Sequence, residues 1–419
     1  MDFAAQLNQT LQSHHPAAFR CLSDFGQRLY FPNGVPAQAA AARNARFNAT
    51  IGQLTDDNGL AMPLPSMARF IEGLTQEEVF LYTAQGGRPD LRAAWQTRIK
   101  GHHQTAMSLP VSCAGLTHGL SLVADLFVDA QTTVLLPAPR WENYDLVFQT
   151  RRQGQVINYD VMSGEAGNHR NWGLNLSGLE EAIRQIDSPK SMLVLNYPSN
   201  PGGYSPTREE AQRVAEIIAQ AKGPMVILLD EAYRGMEWEE DCFKDSLFHV
   251  LSTLDPERFL VVKVDGATKE LFFFGGRIGF VSFATPSPEA ATVLEEKTKS
   301  AIRCAISALP SPSQALVMAA LRSPSLEAEA ASVRSMIYER YQALKSALQG
   351  SELDYWNFNS AFFALIDAPK GAEATRQLLL RHDLGVVSVP SVQALRISYS
   401  TIPSTRIPEL VQILSQHVL

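Results

Sequence analysis

A lysine at the end of a small-residue turn offers the clearest chemistry in this sequence. The apolar run 259–264 leads through a glycine to Lys269, and Arg277 follows eight positions later, next to glycines. Amines on proteins form imines with carbonyl compounds, and burial or a nearby cation lowers the pKa of a lysine until the free base is available. The small neighbours let a flat group approach the backbone. Taken alone, a lysine in such a turn is far more often an ordinary solvated surface lysine, so the rest of the chain must provide the argument.

Two more polar residues come after apolar runs. Asn200 follows the run 192–195, and Asp230 ends the very apolar run 226–229. The Asp230 carboxylate would be partly buried, which is costly unless a cation or hydrogen-bond donors meet it. A protonated ring nitrogen would be such a cation, and the Asn200 amide could donate a hydrogen bond to a phenolic oxygen.

Two weaker signals lie earlier in the chain. Residues 115–119 open a helix pattern, and backbone N–H groups at a helix N-terminus can bind a phosphate, although many helices begin in this way. Trp141 follows a predicted strand, where it could stack on a flat ring, but a core tryptophan would give the same pattern.

The elements that must position these residues alternate between strand and helix patterns from residue 111 to about 283. Near-continuous apolar strands between helices predict a mainly parallel sheet covered on both faces, with functional residues at the carboxyl ends of its strands. One helix pattern is well marked, with Ser205 as the predicted N-cap and Pro206 at the first position. The predicted strands are 133–136, 156–161, 192–195, 226–229, 259–264 and 280–283.

After residue 287 the pattern becomes mostly helical, with short strands at 362–366 and 395–398 and a closing helix from Pro408. This pattern predicts a smaller α+β domain. The predicted division is an N-terminal segment, 1–65, that packs with the small domain, a large domain, 66–300, and a C-terminal small domain, 301–419.

Composition excludes several classes of protein. The formal net charge of −7, without basic blocks, argues against binding to nucleic acid or to a membrane surface. The four cysteines lack CxxC spacing and predict free thiols in a reducing compartment, and the paired histidines are adjacent, so no metal site is predicted. With neither a secretory signal nor a membrane-spanning run, the sequence predicts a cytoplasmic protein.

An aldehyde-trapping amine, a partly buried carboxylate, a phenol-binding amide and a phosphate-binding helix together describe a site for pyridoxal phosphate. With these motifs in this order, the chain resembles the class I and II pyridoxal-phosphate-dependent aminotransferases, which have the aspartate-aminotransferase fold (fold type I). The resemblance runs from about residue 50 to the C-terminus. It implies an α/β fold: a mainly parallel seven-stranded sheet flanked by helices, with a smaller α+β domain.

The resemblance implies a role for each motif around the cofactor. Lys269 is similar to the lysine that forms the internal aldimine, and Asp230 to the aspartate that keeps the ring nitrogen protonated. Trp141 matches the aromatic residue that stacks on the ring. Tyr233 and Asn200 match the residues that bond the phenolic oxygen. The implied phosphate-binding residues are Arg277, Thr268, Leu116, Thr117 and, from the neighbouring subunit of a homodimer, Tyr82.

The resemblance extends to the substrates, an L-amino acid and a 2-oxo acid. Arg396 matches the arginine that binds the α-carboxylate, a bidentate task suited to guanidinium. Gly52 matches the glycine that closes on that carboxylate from the small domain, and Asn200 is also an implied substrate-binding residue. Arg303 resembles an arginine offered to a distal carboxylate across the dimer, and a plain surface arginine on a helix is the alternative.

The implied reaction is transfer of an amino group through Lys269. A lyase, decarboxylase or oxidase on the same fold is the nearest alternative, and a non-catalytic sensor is disfavoured because no basic helix-turn-helix segment precedes residue 50. Two departures leave the exact reaction open. Gly266 stands where the family often has a phosphate-binding serine, and residues 272–274 are unusually bulky.

Overall fold

The computed structural model describes residues 3–165 and 167–418. In chain order its strands are β1 Phe47–Asn48, β2 Val111–Cys113, β3 Thr132–Ala138, β4 Gln155–Asp160, β5 Met162–Ser163, β6 Gly173–Leu174, β7 Lys190–Asn196, β8 Met225–Asp230, β9 Phe259–Asp265, β10 Gly279–Ala284, β11 Phe363–Asp367, β12 Leu384–Gly385, β13 Val387–Val389 and β14 Ala394–Ser398.

The α-helices are α1 Phe3–His14, α2 Pro16–Cys21, α3 Asp24–Arg28, α4 Val35–Ala41, α5 Pro65–Ala68, α6 Gln76–Phe80, α7 Pro89–Lys100, α8 Leu116–Phe127, α9 Leu176–Arg184, α10 Arg208–Ile218, α11 Leu247–Leu251, α12 Ala267–Glu270, α13 Pro288–Ala305, α14 Ser311–Leu321, α15 Leu326–Gln349, α16 Ala372–Arg381 and α17 Ile407–Val418. A π-helix spans Asp145–Arg151. No helix among the described residues combines the length and the apolar character needed to cross a bilayer.

A seven-stranded sheet forms the centre of the larger part of the protein, in the order β2-β10-β9-β8-β7-β3-β4. Its strands run parallel except for β10, which is antiparallel to both of its neighbours. The predicted α/β fold with a mainly parallel seven-stranded sheet is confirmed. The inner strands are apolar on both faces because helices cover both sides of the sheet.

The strand predictions agree with the structure closely, but the N-cap predicted for α10 was wrong. Thr207, not Ser205, is the N-cap, and its hydroxyl accepts from the Glu210 N–H while the Glu210 carboxylate accepts from the Thr207 N–H. This reciprocal capping box satisfies two N-terminal donors. Pro206 therefore lies just before the helix instead of at its first position.

Residues near the N-terminus pack against the C-terminal part of the chain. Strand β1 pairs with β12, and the hydroxyls of Ser398 and Ser400 donate to the carbonyls of Ile51 and Gln53. The fully buried Arg340 guanidinium also donates to the Thr55 carbonyl at 2.9 Å. These contacts hold the segment after β1 alongside β14, which is the central strand of the small sheet β11-β14-β13.

A buried charged cluster joins strands β8 and β9 inside the large sheet. The Lys263 ammonium contacts the Glu231 carboxylate and lies 3.3 Å from Asp265 Oδ2. The other oxygen of Asp265, Oδ1, accepts a hydrogen bond from the Trp95 indole N–H at 3.0 Å. Burial raises the pKa of Asp265. For Glu231, the effect of burial is outweighed by the Lys263 and Arg234 charges together with hydrogen bonds from Lys263 and Ser246, so its pKa is lowered. The Lys263 cation therefore lies between two enclosed carboxylates and balances the formal charge of one of them.

We expect Lys263→Met to destabilise the protein by about 3–5 kcal/mol, because it leaves buried carboxylates without their cation. Urea unfolding followed by circular dichroism measures the loss. The matched control is Lys263→Met combined with Glu231→Gln and Asp265→Asn, which removes the charges together and should recover most of the stability. A loss below about 1 kcal/mol in the single variant would contradict this account.

Candidate active site

A cavity of about 170 Å³ lies at the carboxyl ends of β7 and β8, beside the N-terminus of α8. The structure brings eleven of the thirteen sequence-predicted site residues to its wall: Gly52, Leu116, Thr117, Trp141, Asn200, Asp230, Tyr233, Thr268, Lys269, Arg277 and Arg396. The other two are absent from the wall: Tyr82 is 91% exposed, and Arg303 is exposed and bonded to the Ser307 hydroxyl at 3.0 Å.

The parallel sheet explains why these residues meet. Asp230 is the last residue of β8 and pairs in register with Asn196, the last residue of β7. Lys269 lies in the single helical turn α12, which follows β9 after Gly266. A side chain at residue 266 would put a Cβ 2.5 Å from the Gly279 Cα. Glycine is therefore required here, and the serine common in the family would not fit.

Asp230 is buried with an incomplete set of hydrogen bonds. Its Oδ2 accepts from the Tyr144 hydroxyl at 2.6 Å, while its Oδ1 has no partner among the described residues. Burial raises the pKa of Asp230, with the Tyr144 hydrogen bond and the Lys269 charge opposing that rise. A buried carboxylate oxygen without a donor is costly, so this atom suits a bound group that carries a proton.

Lys269 places its ammonium group 4.9 Å from the centre of the Tyr233 ring. Desolvation by the surrounding protein lowers the pKa of Lys269; the Asp230 charge works against this shift and the Arg277 charge adds to it. A lysine with a lowered pKa keeps more of its amine in the neutral, nucleophilic form.

The part of the cavity wall formed by Arg277 and the N-terminus of α8 is suited to an anion. Gly115 is the N-cap of the twelve-residue helix α8, and a Cβ there would lie 2.4 Å from Arg277 Nη2. Its φ of +84° also favours glycine. The exposed guanidinium of Arg277 thus lies against the helix N-terminus, where the first-turn N–H groups of Leu116 and Thr117 are free of intrahelical partners.

Asn200 connects two further groups of the cavity wall. Its amide nitrogen donates to the Tyr233 hydroxyl at 3.2 Å, and its oxygen accepts from Arg396 Nη1 at 3.0 Å. Arg396 also donates to the Thr50 carbonyl at 2.6 Å, and its guanidinium lies 4.6 Å from the centre of the Phe363 ring. Burial lowers the pKa of Arg396, which lines the cavity with Nε unpartnered among the described residues.

Sequence reasoning missed several residues of the wall. Tyr144 holds Asp230, and its ring packs edge-on against Trp141 at 5.8 Å. Its position three residues after Trp141 was the signal available, since both follow the end of the same strand. Val35, far earlier in the chain, gave no signal, because a lone valine in a helical pattern marks no site. The wall residues outside the sequence prediction are Val35, Tyr144, Asn196, Ala232 and Phe363.

Comparisons with known proteins agree with this architecture. The family model described as aminotransferase class I and II matches residues 44–414. A probable aspartate/prephenate aminotransferase from Rickettsia bellii is 28% identical over 226 residues, which cover 52% of this chain and 52% of the relative. An aspartate aminotransferase from Streptomyces avermitilis is 29% identical over 234 residues, 55% of this chain and 53% of the relative. The matched part thus spans about half the length of these relatives.

Solved structures share the fold over nearly the whole chain. An aminotransferase from Anaerococcus prevotii superposes with a TM-score of 0.82 at 20% identity, covering 93% of this chain and 98% of its own. An aromatic-amino-acid aminotransferase from Burkholderia pseudomallei, covalently bound to pyridoxal phosphate, gives a TM-score of 0.73 at 20% identity, covering 95% and 100%.

The family model covers most of the sequence and confirms the predicted resemblance. This chain belongs to the class I and II aminotransferases, a family of enzymes that depend on pyridoxal phosphate.

Proposed function

We propose that this protein is an aminotransferase that uses pyridoxal phosphate to move an amino group from an L-amino acid to a 2-oxo acid. The observation that carries the proposal is the meeting of a lysine amine with a buried aspartate, whose Oδ1 lacks a partner among the described residues, in one cavity. Membership of the family supports the same reaction.

The cavity wall fits the cofactor part by part. The protonated pyridine nitrogen is the donor that Asp230 Oδ1 lacks, and a neighbouring carboxylate would keep that nitrogen protonated. Tyr233 and Asn200 would hold the phenolic oxygen, and Trp141 would cover the face of the ring. The groups proposed for the phosphate are Arg277, Thr268 and the first-turn N–H groups of Leu116 and Thr117.

Lys269 is proposed to hold the cofactor covalently and then to serve as the base. Bound pyridoxal phosphate supplies an electron sink that makes the α-proton of the substrate acidic. Because enclosure by the protein lowers the pKa of Lys269, its Nζ can take that proton and later return it. Asp230 and Tyr233 complete the proposed catalytic set.

Arg396 is proposed to bind the α-carboxylate of the substrate. Hydrogen bonds to Asn200 and Thr50 fix its guanidinium at the cavity wall. Gly52 is proposed to lie beside that carboxylate; a Cβ there would lie 3.0 Å from the Phe363 ring, so a side chain at this position would require the ring to shift. A planar guanidinium offers two parallel donors to a carboxylate.

We infer the domain division and the cytoplasmic location from two further features of the structure. The hydrogen bonds that tie residues 51–53 to Ser398 and Ser400 support grouping the segment 1–65 with 301–419, apart from 66–300. The four unpaired cysteines, Cys21, Cys113, Cys242 and Cys304, support the inferred cytoplasmic location.

Lys269→Ala should abolish transamination, because both covalent attachment and proton transfer depend on one amine. Wild-type protein incubated with an amino acid and 2-oxoglutarate should form glutamate, and borohydride should fix the cofactor to the peptide that carries Lys269. Mass spectrometry locates the label. The exposed Lys222 provides a control, and Lys222→Ala should keep both properties. Oxygen consumption or release of substrate fragments, without glutamate, would instead indicate an oxidase or a lyase.

Arg396→Ala should mainly raise KM for the amino donor, by roughly 30-fold or more, because losing a buried charged partner costs about 2 kcal/mol or more. Arg396→Lys keeps the charge but loses the planar pair of donors, so an intermediate KM is expected. Steady-state kinetics measures both constants. A fall in kcat as large as the rise in KM would argue against the assigned carboxylate role.

A homodimer with shared active sites is proposed from an exposed apolar run near α6. Phe80 is 81% exposed, Leu81 61% and Tyr82 91%, which is unusual for contiguous large apolar side chains. In such a dimer Tyr82 would reach the phosphate in the partner's site, and Arg303 would reach the partner's substrate.

Phe80→Asp should convert the dimer to monomer, since it places a charge in an apolar interface. Analytical ultracentrifugation measures the mass. The exposed Leu7 on α1 is the matched position, and Leu7→Asp should remain dimeric. A Phe80→Asp protein that keeps the mass of a dimer would place the interface elsewhere.

A further inference from the structure

A second cavity, of about 310 Å³, lies next to the one described above. The two share Val35, Trp141, Asn200 and Arg396 in their walls. The guanidinium proposed to bind the α-carboxylate therefore stands at the border between them. A substrate held by Arg396 has the second cavity within reach of the rest of its carbon chain.

Arg140, one of the two arginines in the wall of this second cavity, is already neutralised. Arg140 Nη2 donates to Asp145 Oδ1 at 2.6 Å, and Arg140 Nε lies 3.2 Å from both oxygens of that carboxylate. Its Nη1 donates to Asn158 Oδ1 at 2.9 Å. With its donors used in this way, Arg140 offers little to an additional carboxylate, and the Arg140–Asp145 pair contributes no net charge.

Besides the Arg140–Asp145 pair, the charged residues of this wall are Arg396 and Glu142. Glu142 Oε1 accepts from the Val35 N–H at 2.7 Å, and Glu142 Oε2 has no hydrogen-bond partner among the described residues. A Cβ on Gly34 would lie 2.5 Å from Oε1, so the backbone of residues 34–35 holds this carboxylate closely. Burial raises the pKa of Glu142; the Val35 hydrogen bond and the Arg396 charge oppose that rise. When a substrate carboxylate neutralises Arg396, the remaining formal charge is that of Glu142.

We propose that this second cavity is a side-chain subsite, in which Glu142 selects amino donors whose side chain ends in an amine. The proposal rests on the proposed aminotransferase function and names the substrate class of that site. The α-carboxylate lies on Arg396 and the distal ammonium on Glu142 Oε2, so opposite charges face each other at both ends of the substrate. Arg303 of a partner subunit would remain available to a dicarboxylic 2-oxo acid in the other half-reaction.

The test compares two ligands that differ only at the distal end, 6-aminohexanoate and hexanoate. Glu142→Gln keeps the oxygen that accepts from Val35 but removes the charge. Isothermal titration calorimetry of the holoenzyme measures the dissociation constants. Glu142→Gln should raise the Kd of 6-aminohexanoate by about tenfold and change the Kd of hexanoate by less than about twofold. Glu352→Gln, an exposed position with the same change in net charge, should alter neither ligand.

Two results would overturn the subsite: equal weakening of both ligands, which indicates a structural role of Glu142, or no change for either ligand. The visible absorbance of the cofactor separates this outcome from failure of the proposed function. If amino acids bleach that band but the charge preference is absent, the subsite is wrong and the aminotransferase stands. If the preference is present but no amino acid bleaches the band, the proposed function is wrong, and Glu142 binds a distal ammonium without selecting an amino donor.

Discussion

The buried Asp230 carboxylate is the constraint on which the site depends. One of its oxygens is held by Tyr144, and the other has no donor within the described residues. The cost of enclosing such a group is large unless a cation meets it. Lys269 is the amine in the same cavity, but desolvation lowers its own pKa, so it is a poor permanent counter-ion. The site therefore has a place for a second protonated nitrogen, and the heterocycle on which this family depends carries one.

The sheet buries Asp230 and places it at the edge where the parallel strands end. Side chains alternate between the faces of a strand, so the neighbouring Asp230 and Glu231 point in opposite directions. Glu231 meets Lys263 inside the fold and is neutralised there, whereas Asp230 faces the cavity. Gly266 then lets β9 turn against residues 278–279, which brings Lys269 and Arg277 to the same cavity. Glu231 thus meets its cation within the protein, whereas Asp230 faces the cavity.

The sequence predicted those parts of the fold that follow from local pattern. Apolar strand patterns between helix patterns predicted the sheet. Polar residues at or just after the ends of those strands, such as Asp230 and Asn200, predicted much of the cavity wall. The rest depends on long-range packing. The N-cap of α10 was misplaced because Ser205 and Thr207 both suit a cap, and the Glu210 carboxylate decides between them. Val35 was missed because its place in the site depends on a contact with Glu142, 107 residues away.

Val35 also shows where this chain can differ from its relatives. The family model begins at residue 44, so the α4 helix that starts at Val35 lies outside the matched residues. Yet Val35 lines both cavities, and its backbone fixes Glu142, which borders the second of them. The residues proposed to hold the cofactor all lie within 44–414. A change at Val35 can therefore alter the shape of both cavities while leaving the identity of the residues proposed to bind the cofactor unchanged.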